Sequence, residues 1–125
     1  MGAFLMLACD YRISINGSFR TGLNETLIGM TMHHFGIELA CYRLSASYFN
    51  RCVINAELFN PENAMRAGFY DAVATPETID AEIAKTVDSF SKLNMGAFNG
   101  TKTKSRIAIL ALLKDCIDRD LDMRF

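Results

Sequence analysis

The chain has 125 residues, 50% of them hydrophobic and 22% charged, proportions ordinary for one globular unit. Thirteen basic against fourteen acidic residues leave a formal net charge of −1, so there is no excess positive field to hold a phosphate backbone, and nucleic acid is excluded as a partner. Cys9, Cys41, Cys52 and Cys116 are scattered without C-x-x-C spacing, three of them inside apolar stretches as small core residues would be, which implies a reducing, cytoplasmic compartment.

The chain opens inside an apolar segment, "MGAFLMLACD". No Lys or Arg precedes it, so a secretory signal is not expected, and it carries no Ser, Thr, Asp or Asn ahead of its first apolar residue as a helix start normally does. It begins like the interior of a larger unit. In "YRISI", Tyr11, Ile13 and Ile15 alternate with Arg12 and Ser14, which predicts a half-buried strand with the apolar set inward, closed by the turn "NGS". A second short strand is expected at 19–21. Gly29 and Gly36 bracket "MTMHHF", read as a loop in which His33 and His34 are solvated, since adjacent residues do not point the same way and no third ligand is spaced for a metal.

Phe35, Leu39 and Tyr42 share one helical face, and a further helix is predicted over 47–54. "NPENAMRAG" is a complete helix cassette: Asn60 to cap, Pro61 at the first helical position and Gly68 for the left-handed stop. "FYDAVA" reads as a strand. Thr75 and Pro76 repeat the cap-plus-proline start, with Ile79, Ile83, Val87, Phe90 and Leu93 at helical spacing. A last helix is expected from about Phe98. Its middle, "IAILALL" at 107–113, is apolar nearly all round, which predicts burial between neighbours. That run is far too short to cross a bilayer, and no membrane association is expected.

One acid stands apart. In "TGLNETLIGM", Glu25 lies between a Gly-Leu-Asn turn and a run of apolar residues, with no basic residue nearer than Arg20. Spacing alone leaves two alternatives: an ordinary solvated turn acid, or a carboxylate whose proton affinity is raised by apolar surroundings such as Leu23, Leu27 and Ile28.

The segments "LACDYRI", "GLNETLIGM" and "NPENAMRAGFYDAV", followed by "TK" and a long helix, resemble in order and spacing the second half of the crotonase, or enoyl-CoA hydratase/isomerase, superfamily, and "CDYRI…GLNET" is most similar to its 3,2-enoyl-CoA isomerase branch. The resemblance implies an α/β fold, a partial crotonase spiral at 1–75 with its N-terminal half absent, and a helical oligomerisation region at 76–125. It implies an acyl-CoA thioester as substrate, no cofactor or metal, and a homo-trimer or hexamer in the full-length protein. Glu25 falls on the family's catalytic glutamate. Met1 and Gly2 fall on the glycine-rich turn that supplies an oxyanion donor, although in this chain the nitrogen of Met1 is a terminal amine. Phe4 falls where the hydratase branch has a second glutamate, and phenylalanine holds no proton. Isomerisation by one base is therefore the expected activity, with hydration, or a non-catalytic subunit that only associates, as the alternatives. Phe4, Leu27, Met30, Met32 and Phe35 are the expected lining of an acyl pocket, Met being adaptable to chains of varied length. Lys102, Lys104 and Arg106 are read either as a solvated basic face or as contacts to coenzyme A phosphates.

Overall fold

The structure, a computed structural model, describes residues 2–123. A short helix α1 (Gly2–Leu7) leads into strand β1 (Ile13–Ile15), then α2 (His34–Arg43), α3 (Pro61–Ala67), strand β2 (Ala72–Ala74), α4 (Ile79–Ser91) and α5 (Met95–Asp122). The two strands pair in parallel, with Ile13 opposite Ala72 and Ile15 opposite Ala74, so α2 and α3 lie on the long crossover that parallel pairing requires. The core gathers Phe4 and Leu7 of α1, Leu39 and Ala40 of α2, Ala64 and Ala67 of α3, and Leu23, Phe59 and Phe69 from the connections. The last helix packs along α2.

Local chemistry explains the best-defined element. Asn60 accepts the Asn63 N–H at 2.9 Å, Pro61 opens α3 and Gly68 closes it with φ of 97°, each as the cassette predicts. A Cβ on Gly68 would also lie 3.0–3.1 Å from the backbone of Arg43 and Ser45, so the α3 stop and the α2 stop constrain each other.

Strand β1 corrects the expected facing. Arg12 and Ser14 are buried, whereas Tyr11 and Ile15 are exposed. The reason lies far along the chain. Arg12 donates to both carboxylate oxygens of Asp71, at 2.8 and 3.0 Å, and to the Gly68 carbonyl at 2.7 Å, while its backbone N–H also meets Asp71. A guanidinium so fully partnered is tolerated inside. Burial tends to raise the Asp71 pKa, but the Arg12 hydrogen bonds outweigh it and hold the carboxyl below its usual 3.8. On the other face Tyr11 stacks edge-on against Phe90 of α4.

Other expectations shift. The segment 19–21 forms no strand, only an isolated antiparallel bridge between Thr21 and Phe59. The segment 47–54 is split into a 3-10 turn at Ala46–Tyr48 and a π turn at Asn50–Ile54. Thr75 to Thr78 make a separate turn, tied by the Thr78 hydroxyl, before α4 begins. The final helix starts earlier than expected, at Met95, because Asn94 accepts the Ala97 N–H and caps it. Its apolar middle is not enclosed: Ile107 is 63% exposed and Leu110 59%. Helical spacing marks a residue as apolar without naming what covers it. Of the four cysteines, Cys52 and Cys116 are buried, and Cys9 and Cys41 are exposed. No helix of the described residues is long and apolar enough to cross a membrane.

Candidate functional site

The turn that carries Glu25 is held from three directions. Thr21 exchanges backbone hydrogen bonds with Phe59 at 2.9 Å in each direction, its hydroxyl meets that of Tyr70, and Leu23 is sealed in the core. Gly22 allows the approach, since a Cβ there would lie 2.7 Å from the Glu57 carbonyl. The chain then tightens into a 3-10 turn at Thr26–Ile28, with the Glu25 carbonyl accepting from Ile28 and, at 2.9 Å, from Met30. The backbone of Glu25 is thereby fixed at both ends of one turn.

Its side chain is half-buried, and one carboxylate oxygen, Oε2, is closed off from solvent without a hydrogen-bond partner. A carboxylate oxygen stripped of water and given nothing in return is costly. Native proteins leave few such groups, and each calls for a reason. The turn acid is therefore only partly solvated.

The residues expected to line an acyl pocket do not converge on one surface. Phe4 and Met32 belong to the core. Leu27 and Met30 are exposed, as is Ile28, so in this chain Leu27 and Ile28 do not form an enclosing wall. Phe35 lies instead in a slot between α2 and α5. Met1 lies outside the described residues. Gly2, at the start of α1, borders a cavity of about 290 Å³ shared with Met6, Phe19, Thr21 and Tyr70, on the N-terminal side of the Glu25 turn.

Both histidines are partly buried, and His33 also has a structural role. His33 caps α2, its Nδ1 accepting the Gly36 N–H at 2.8 Å, and its ring packs 5.2 Å from that of Phe4. With Nδ1 as acceptor, the neutral ring carries its proton on Nε2. Asp120 of α5 completes the cap by accepting the N–H groups of His34 and Phe35 at 2.8 and 2.9 Å. Burial works to raise the Asp120 pKa, yet these N–H donors prevail and the carboxyl is held low. This double cap was hidden in the sequence: Asp120 stands 86 residues from His34, and His is an uncommon helix cap.

The basic face at the start of α5 is also partly consumed. Lys102 and Arg106 both pair with Asp10, which follows α1. The Lys102 hydrogen bond, then that of Arg106, pulls the Asp10 carboxyl below its usual range. Among the described residues there is no cluster of three His, Cys, Asp or Glu able to hold a metal ion.

No protein-family model matches the chain, and no curated protein does. Solved structures do. An enoyl-CoA hydratase/isomerase family protein from Pseudomonas syringae is 51% identical, superimposes with a TM-score of 0.92, and is matched over 95% of this chain and 52% of its own. The chain belongs to the enoyl-CoA hydratase/isomerase family, within the crotonase superfamily. An enoyl-CoA hydratase from Mycobacterium ulcerans and an enoyl-CoA isomerase from Mycobacterium tuberculosis are each 32% identical with a TM-score of 0.84, over 94% of this crotonase chain and 51% of theirs. The Mycobacterium tuberculosis protein is itself named a probable enoyl-CoA hydratase in one structure and an isomerase in another, so these names do not separate the two branches. This crotonase chain spans about half the length of the structures it matches.

Proposed function

We propose that this chain carries the proton-transfer half of an enoyl-CoA isomerase site, with Glu25 as its single acid–base group. The substrate is a 3-enoyl-CoA. One Glu25 oxygen takes a proton from C2, the electron pair of that C–H bond enters conjugation with the thioester carbonyl, and a dienolate forms. The same carboxyl then returns the proton to C4, and the double bond moves from C3–C4 to C2–C3. No electron is gained or lost overall, so no cofactor is needed. Enolate charge must be caught by fixed N–H donors, and Gly2 stands where the resemblance puts that turn. The proposal places the step in cytoplasmic fatty acid metabolism.

The observation that carries it is the closed-off, unpartnered Oε2 of Glu25, because a buried polar oxygen left without a partner calls for a functional reason. Phe4 favours isomerisation over hydration: it is buried, with its ring against His33, and offers no second acid to deliver water. Association is the other component. The exposed apolar residues Ile107, Leu110, Ile117 and Leu121 of α5 support assembly into a trimer or hexamer, and would be what remains of the function if the chain were purely a structural subunit.

The test joins the remaining half of the Pseudomonas syringae relative ahead of this chain and supplies 3-hexenoyl-CoA. Chromatography of the products should show 2-hexenoyl-CoA formed ahead of any 3-hydroxyhexanoyl-CoA. If the hydroxy product dominates from 2-hexenoyl-CoA at a comparable rate, the hydratase assignment replaces this one.

A further inference from the structure

We propose that the slot between α2 and α5 binds a small monocarboxylate with an apolar tail of about five or six carbons, its carboxylate seated on Arg43. This site is separate from Glu25 and does not depend on the isomerase assignment.

The slot holds about 130 Å³ and is walled by Leu7, Phe35, Leu39, Ile109 and Leu113, with Arg43 and Arg106 also on its lining. A dry cavity of about 150 Å³ lined by Leu, Ile and Phe takes a benzene ring, so the volume sets the tail length. The charge sets the head group. Arg12 is engaged by Asp71, and Arg106 by Asp10. Arg43 has no carboxylate within 4 Å among the described residues; one of its Nη atoms donates to the Cys9 carbonyl at 2.8 Å, and its Nε is buried with no partner at all. Burial lowers the Arg43 pKa, and the nearby positive charge of Arg12 adds to that, with the Asp71 carboxylate working in the opposite direction. A half-buried guanidinium, crowded by like charge and short of an acceptor, is a site for an anion. An apolar slot beside it selects one that also carries a tail. The carboxylate would supply the counter-charge that Arg43 lacks, while the tail would cover the walls supplied by Phe35, Leu39 and Leu113.

The probes are sodium hexanoate and 1-hexanol, equal in tail and different in charge, titrated calorimetrically into the 125-residue chain at pH 7. Hexanoate should bind about tenfold or more tighter than hexanol. Arg43→Gln should erase that preference, and Leu113→Trp, which fills the slot, should remove both ligands. Equal affinity for the two probes, no binding of either to the unmodified chain, or a preference that survives Arg43→Gln would each overturn the proposal. The comparison between probes needs no variant to fold.

Discussion

Replacing Glu25 by glutamine, in the chimera that supplies the rest of the crotonase fold, should lower kcat for 3-hexenoyl-CoA by about 10²- to 10⁴-fold, the range that a positioned acid–base group provides. KM should move little, because glutamine keeps the shape of the side chain and Glu25 acts on a proton and not on the thioester's bulk. Aspartate at the same position is the useful control: it retains the carboxyl but withdraws it by one methylene from a turn whose backbone is fixed by Ile28 and Met30, so its activity should fall between the two. Unchanged turnover in Glu25→Gln would assign the unpartnered Oε2 to some purpose other than catalysis.

The second large effect concerns stability. Arg12 is 7% exposed and binds Asp71 through two oxygens, so truncating either member strands the other. Asp71→Asn leaves a buried guanidinium short of its counter-charge and should cost about 3 to 5 kcal/mol in denaturant unfolding. Arg12→Met should cost somewhat less, about 2 to 4 kcal/mol, because Asp71 retains partial access to water. The double variant should lose clearly less than the sum, which would separate the pair from independent sites. Acid should act on the same contact. The folded-state pKa of Asp71 lies below its ordinary 3.8, so its contribution is fully present above that value and is lost as pH falls through the depressed folded value. Unfolding curves taken from neutral pH down through this window should show the wild type losing its margin over Asp71→Asn. A constant margin would mean that the clamp is not what acid breaks.

These contacts also show how far the sequence reaches. The α3 cassette was legible because capping is settled within nine residues, by Asn60, Pro61 and Gly68. The facing of β1 was not, because alternation assumes that apolar means inward, and the partner that makes Arg12 the inward residue lies 59 positions away. The same distance problem hid Asp120 from His34 and Asp10 from Lys102 and Arg106. For the site, composition and spacing left Glu25 as either a surface acid or a shielded one. Family resemblance singled it out, and the structure added the closed-off oxygen that spacing does not reveal. The expected acyl lining fared differently: Leu27 and Met30 are exposed and Phe35 serves another slot, since hydrophobicity alone does not say which of two surfaces a side chain joins.

Direct transfer of a labelled hydrogen tests the single-carboxyl proton shuttle most closely. With 3-hexenoyl-CoA deuterated at C2 and turned over in ordinary water by the chimera, a group shielded from solvent should deliver part of the label to C4 of the 2-hexenoyl-CoA product, and Glu25→Gln should abolish that transfer along with turnover. Normal turnover by the unaltered chimera with no deuterium at C4 would mean that removal and return of the proton are performed by different groups, or through water, and would contradict the account.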